Sequence, residues 1–278
     1  MSSTITTTAL PVIKGFTETG GEYSMPDEDD ILNAEKVIVV GNDISDVNPV
    51  ITYLFHKNYS EGFETGKDKQ IVFMGEKPLH INKFYPEVIN RKIEEISIND
   101  IDTDEKTVII YSTTTLKGEK AYSFGKLLGE IHKKTGAKVL ILPQEANGIG
   151  LIKSLKLAYL PDVIKETKNG QIKNLILIGE DIVDHITDEE LQEIFLKAEN
   201  SIIITPFSDG LALSCSYAVG TTLWMEDNRT FEGFRGRVQT KSSITGGLTE
   251  EKIVQTITER DKRNSKSCKK RTKRYFFL

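Results

Sequence analysis

Side chains able to hold or transform a ligand are concentrated in residues 224–239, WMEDNRTFEGFRGRVQ. Glu226, Asp227, Arg229, Arg235 and Arg237 stand there between Gly233 and Gly236 and the aromatics Trp224, Phe231 and Phe234. Arginine forks beside glycine suit a bidentate anion contact, and aromatic faces suit a planar ligand or a partner surface. The same residues also describe a long loop held over a sheet by its own ion pairs, and composition alone does not separate the two readings.

Three shorter segments have the form of strand-end binding loops. Gly41-Asn42-Asp43 follows the apolar run KVIVV, and Asn48-Pro49-Val50 opens a helix just beyond it. Glycine lets backbone amides approach a ligand, and a helix N-terminus favours phosphate. Residues 143–150, PQEANGIG, offer Asn147 before two glycines, and Gly179-Glu180-Asp181 repeats the pattern of Gly41-Asn42-Asp43. The dinucleotide fingerprint G-x-G-x-x-G is absent, so each loop is also compatible with ordinary turn and cap chemistry.

Nucleophilic and metal chemistry find little support. Ser214 lacks the G-x-S-x-G elbow, and Cys215 sits among apolar residues, as a buried structural thiol would. Cys215 and Cys268 are far apart, and His56, His80, His132 and His185 form no ligand-spaced pair. No zinc or iron–sulfur site is expected, and a reduced, cytoplasmic protein follows.

The elements that must position these loops alternate regularly. Among the 278 residues, β-branched runs at 36–41, 70–74, 107–111, 138–142, 173–178 and 201–205 read as parallel strands buried on both faces. Helical patterns fall between or after them. Residues 120–135 carry Ala121, Phe124, Leu127, Leu128 and Ile131 on one stripe before Gly136. Residues 187–199 open on the capping box Thr187/Glu190, and a further helix is expected from Thr249 to about Arg260. Strand and helix in alternation imply an α/β protein with a doubly wound, mostly parallel sheet. Residues 1–30 read as an extended or disordered lead-in, 31–261 as the α/β domain, with two lobes dividing near 100, and 262–278 as a tail.

The net charge of −5 is unevenly placed. Residues 262–278 hold eight basic and no acidic side chains, leaving 28 basic against 41 acidic in the body. Such a block reads as an attachment arm, for partner chains in preference to nucleic acid. The longest apolar runs are far short of the roughly 20 residues a membrane helix needs.

Four segments carry a resemblance. Residues 31–50 are similar to the molybdopterin oxidoreductase element in which a strand ends in Gly-x-Asn-Pro and Pro-Val follows. Residues 145–161, EANGIGLIKSLKLAYLP, and 170–181, GQIKNLILIGED, resemble two later landmarks of that superfamily. Residues 226–239 align with a fourth through Glu226, Thr230, Phe231, Gly236, Arg237, Val238 and Gln239. Arg229, Gly233 and Arg235 depart from that last pattern, and Asp43 replaces the proline of the first.

Within the superfamily the chain looks most like the C-terminal region of the large iron–sulfur subunit of bacterial NADH–quinone oxidoreductase, complex I. The resemblance implies Rossmann-like lobes and a structural or assembly subunit without its own active site. Its partners would be the other subunits of that respiratory complex, through which it would lie against the inner membrane. It also implies a vestigial cofactor pocket formed by Gly41, Asn42, Asn147, Glu226, Thr230, Arg237 and Gln239. No cofactor is expected on that reading. In the alternative, an oxidoreductase fragment, the pocket would take molybdopterin guanine dinucleotide.

Overall fold

The computed structural model describes residues 2–3, 8–41, 44–75, 87–113, 115–145, 147–148, 150, 160–178, 188–223, 226, 228–234, 238–242, 247–249, 251–257, 259 and 275–277. Contacts divide the chain into two units. One is Thr7–Gly150 with Gly233–Arg237, and the other is Met1–Thr6, Leu151–Glu232 and Val238–Leu278. The division therefore falls near 150, not near 100, because a short strand within 75–106 joins the same sheet as its neighbours.

The chain opens with β1 (Ser2–Ser3), which belongs to the second unit. The first unit then begins with helices α1 (Leu10–Gly20) and α2 (Glu28–Asn33) and strand β2 (Lys36–Val40). The one-turn α3 (Ile44–Val47) and the long α4 (Pro49–Thr65) lead to β3 (Gln70–Gly75) and β4 (Glu87–Asn90). β5 (Thr107–Ser112), α5 (Gly118–Thr135) and β6 (Lys138–Leu142) complete it. All five strands pair in parallel in the order β4-β3-β2-β5-β6. This is the Rossmann-like doubly wound order, with the direction of strand addition reversing between β2 and β5.

Side-chain alternation along each strand loads both faces. Val37, Val39, Ile71, Phe73, Val108 and Ile110 face α2 and α4, where Ile31, Ile51, Leu54 and Phe55 meet them. Tyr111, from the opposite face, packs against Phe124 of α5 in a tilted ring pair with centroids 4.8 Å apart. Ala121, Phe124, Leu128 and Ile131 of α5 are buried as their spacing predicts, and Gly136 closes the helix with φ +78°.

The lead-in behaves differently from its expectation. α1 lies along α5, with Val12 and Phe16 buried four positions apart and Gly15 between them. Glycine lets the two helices approach closely. A β-carbon on Gly125 would overlap the Val12 carbonyl, one on Gly15 the Tyr122 carbonyl, and one on Gly20 would sit 2.8 Å from the Gly129 α-carbon. Beyond α1, the buried hydroxyl of Tyr23 accepts a hydrogen bond from the Ile141 amide at 3.0 Å. That contact caps part of the outer edge of β6, and burial raises the pKa of the phenol.

A tight turn leads into β5. The Asp104 carboxylate accepts from the Thr107 hydroxyl at 2.7 Å and from the Lys106 amide at 3.0 Å, which holds its pKa below the usual 3.8. The stability this contributes is complete above the unfolded value and is lost as pH falls through the lowered one. A stability gap between wild type and Asp104→Asn is expected at pH 7 and should close below about pH 3. Urea midpoints measured across that range provide the check.

In the second unit, α6 (Leu160–Lys168), β7 (Asn174–Ile178), α7 (Asp188–Lys197), β8 (Asn200–Thr205) and β9 (Tyr217–Gly220) repeat the alternation. Its parallel sheet has the order β1-β12-β7-β8-β9, where β12 is Tyr275–Phe277. The end of the basic tail is thus a strand between Ser2–Ser3 and β7, while residues 260–274 lie outside the described set. Val163, Ile164, Leu175, Leu177, Ile194 and Ile203 form the core on one face. On the other, Ile176 and Ile204 meet Ile253 of the helical stretch 251–257. That stretch is capped by the Thr249 hydroxyl, which accepts from the Lys252 amide at 3.3 Å. The Thr187 half of the expected capping box is outside the described residues. β10 (Arg229–Glu232) and β11 (Val238–Lys241) form a separate antiparallel ribbon.

Candidate functional site at the carboxyl edge of the first sheet

Ligands of doubly wound sheets bind beyond the carboxyl ends of the strands, where the order reverses. In the first unit that position lies between Gly41, after β2, and Thr113, after β5. Gly41 has φ +119°, a conformation that disfavours any side chain, and its amide continues the ladder by donating to the Met74 carbonyl at 3.1 Å. A β-carbon there would come within 3.0 Å of the Thr115 hydroxyl. The glycine is explained by backbone geometry and close packing.

Next to it the edge is occupied by the chain itself. Buried Thr113 directs both its amide and its hydroxyl to the Leu142 carbonyl, at 3.1 and 2.9 Å. The Thr8 and Thr113 hydroxyl oxygens lie 2.6 Å apart, and Thr8 Oγ1 donates to Glu145 Oε2 at 3.2 Å. Thr8 Oγ1 also accepts from the Gln144 amide at 3.1 Å, and the Thr8 amide donates to Glu145 Oε1 at 2.7 Å. Glu145 therefore serves as an acceptor for the N-terminal segment. Replacing Thr8 by valine removes the hydroxyl that joins Thr113, Glu145 and the Gln144 amide and is expected to cost about 1 kcal/mol. Thr8→Ser should restore most of the loss in a thermal melt.

Of the seven residues of the expected pocket, Gly41, Asn42, Asn147 and Arg237 belong to the first unit and Glu226, Thr230 and Gln239 to the second. Gly41 and half-buried Asn147 both lie past carboxyl ends of the first sheet, after β2 and β6, with β5 between those strands. The Glu226 carboxylate accepts from the Leu223 amide at 3.0 Å, closing its own turn. Thr230 is opposite Thr240 and Gln239 opposite Phe231, so these exposed side chains project from opposite faces of the β10/β11 ribbon. Asn42 and Arg237 lie outside the described residues, as do Trp224, Asp227 and Arg235.

Thr8 and Thr113, the residues that organise this edge, were missed by sequence reasoning. The available signal was Thr8-Ala9-Leu10-Pro11, a polar residue before a proline in the first turn of a helix. Among the described residues no group of three or more His, Cys, Asp or Glu is placed to hold a metal ion. Cys215 is half-buried against the second core, and burial raises its thiol pKa. His132 packs on Phe16, with its Nδ1 2.8 Å from the Ala137 carbonyl.

No protein-family model matches the chain, and no curated protein matches it in sequence. In fold it is similar to a chain of the formyltransferase/hydrolase complex FhcABCD from Methylorubrum extorquens, solved with methylofuran. The TM-score is 0.58 at 12% identity, over 93% of this chain and 83% of that one. The identification with the molybdopterin oxidoreductases and with the large iron–sulfur subunit of complex I is thereby overturned, together with its fragment alternative and the respiratory and membrane roles it implied. Three of the four landmarks are strand-end glycines, turn residues and a Leu-Pro helix opening, which suit parallel α/β sheets generally, and the fourth falls on the antiparallel β10/β11 ribbon. Among the described residues no helix is long and apolar enough to cross a membrane. The similarity shows an α/β fold shared with a chain of that complex.

Proposed function

We propose that the chain is a structural subunit of a multi-chain assembly of the formyltransferase/hydrolase type, with the chemistry carried by its partner chains. The observation that carries this reading is the extent of the fold similarity, which spans nearly all of this chain and most of a component of such a complex. The carboxyl edge of the first sheet supports it. There, Glu145 and Thr113 are engaged by Thr8, which suits a scaffold better than a general acid or a nucleophile.

The test is isolation of the tagged full-length chain from its native source under mild conditions. Formyltransferase and hydrolase chains are expected at fixed stoichiometry, with formyl transfer in the assembly and none in this chain alone. Recovery of the chain without those partners, or of an activity that it performs by itself, overturns the reading.

A further inference from the structure

We propose that two copies of this chain pair through β9, antiparallel about a two-fold axis at Val219. This goes beyond the subunit reading and does not depend on it.

β9 is the outer strand of the second sheet. The Thr221 amide donates inward to the Thr205 carbonyl at 3.2 Å, and the Thr222 amide donates to the Leu248 carbonyl at 3.2 Å. In a parallel ladder successive residues alternate between the two sides of the strand. Tyr217, Val219 and Thr221 therefore bond inward, while Ala218 and Gly220 turn their amides and carbonyls outward. Both residues are exposed, and nothing among the described residues pairs with that side of the strand. Leu248 closes the edge at Thr222, so the open window has the length of β9 itself.

Exposed strand edges are ordinarily protected by charge, proline, bulges or a covering segment. Here residues 210–225, GLALSCSYAVGTTLWM, contain no charged side chain and no proline. At the chain average of 28% charged residues, four or five would be expected in such a stretch. Large apolar side chains nearby along the chain are left exposed instead, with Phe207 63%, Leu213 80% and Tyr217 62% exposed.

The absence of charge identifies the occupant. About a two-fold axis each residue meets the same strand reversed, so any charge near the axis would face its own copy. None is present. With the axis at Val219, Ala218 lies opposite Gly220 of the second copy, and each such pair exchanges two hydrogen bonds through the groups left outward. Tyr217 falls opposite Thr221 of the second copy, adding apolar contact at both ends.

Light scattering of the purified full-length chain, over about 1 µM to 1 mM, is expected to approach twice the chain mass of 31.2 kDa. Ala218→Pro removes an outward amide and no inward bond. It should hold the single-chain mass throughout, with unchanged circular dichroism. Ala218→Lys places like charges on diagonal positions across the axis, about 7–8 Å apart, and should weaken pairing tenfold or more. It supplies the reading where the proline variant does not fold. The proposal is overturned by a wild-type chain of single mass over the whole range, by a folded variant of either kind that keeps the doubled mass, or by growth beyond two copies.

Discussion

Gly125→Ala is expected to destabilise the protein by about 3 kcal/mol, against the sign that helix propensity alone would give. In the interior of an exposed helix, glycine to alanine gains roughly 1 kcal/mol, because alanine loses less backbone entropy on folding. Gly125 is an interior position of α5, but its missing β-carbon is where the Val12 backbone of α1 passes. Gly129 is similarly filled by the Phe16 carbonyl and the Thr19 hydroxyl, which itself donates to the Lys126 carbonyl at 2.7 Å. A methyl group at either position has to push the helices apart, loosening Val12 and Phe16, which are 0% and 2% exposed. For a chain of this size the loss corresponds to roughly 6–12 °C in melting temperature. Gly66→Ala is the control, since Gly66 has open space around it and only a left-handed backbone, with φ +68°, to resist the change. Its penalty should stay near 1 kcal/mol. If Gly125→Ala melts at or above the wild-type temperature, the close approach of α1 to α5 is wrong.

That same helix pair marks where sequence reasoning reaches its limit. The strands were legible because a strand buried on both faces must be apolar at every position, and 36–41, 70–74, 107–111 and 138–142 show this directly. α5 was legible from Ala121, Phe124, Leu128 and Ile131, a stripe that signals by side-chain volume. α1 buries Val12 and Phe16 but interleaves them with Gly15, Thr19 and Gly20 against its neighbour, and glycine there reads as a breaker. Its identity depends on a second helix far along the chain, 107 positions away where Thr19 meets Lys126.

The carboxyl edge of the first sheet illustrates a related limit. Gly41 marks the strand end correctly as a place of unusual backbone geometry. Whether such a place holds a ligand or the chain itself depends on what arrives there. Thr8 comes from a segment with no periodicity to place it. The resemblance to oxidoreductases had the same origin. Strand-end glycines and Leu-Pro helix openings recur where parallel strands alternate with helices, so such landmarks in order report architecture more than ancestry.

Asn58→Asp is expected to be the most damaging isosteric change in the molecule, costing about 4 kcal/mol at pH 7. Asn58 is fully buried on α4, and its Nδ2 donates to the carbonyls of Ile31, Leu32 and Ala34 at 2.8, 2.8 and 2.9 Å. Those carbonyls end α2, where helix termini leave acceptors without intrahelical partners. Lys69 Nζ reaches the Leu32 carbonyl as well, at 2.8 Å, so the negative end of α2 is held by a neutral amide and a cation. A carboxylate in place of the amide presents charge to three carbonyl oxygens, with burial adding to its cost. The side chain then binds a proton more tightly in the folded than in the unfolded state. Its folded pKa is raised, so the penalty grows as pH rises through the unfolded value of about 3.9 and eases in acid, where the protonated carboxyl can donate to one carbonyl. Asn58→Leu removes the donors without adding charge and should cost about 2–4 kcal/mol with no pH dependence of its own. Urea unfolding of both variants at pH 5 and pH 7 separates the terms. If the aspartate variant loses no more stability at pH 7 than the leucine variant, the Asn58 amide does not face those carbonyls.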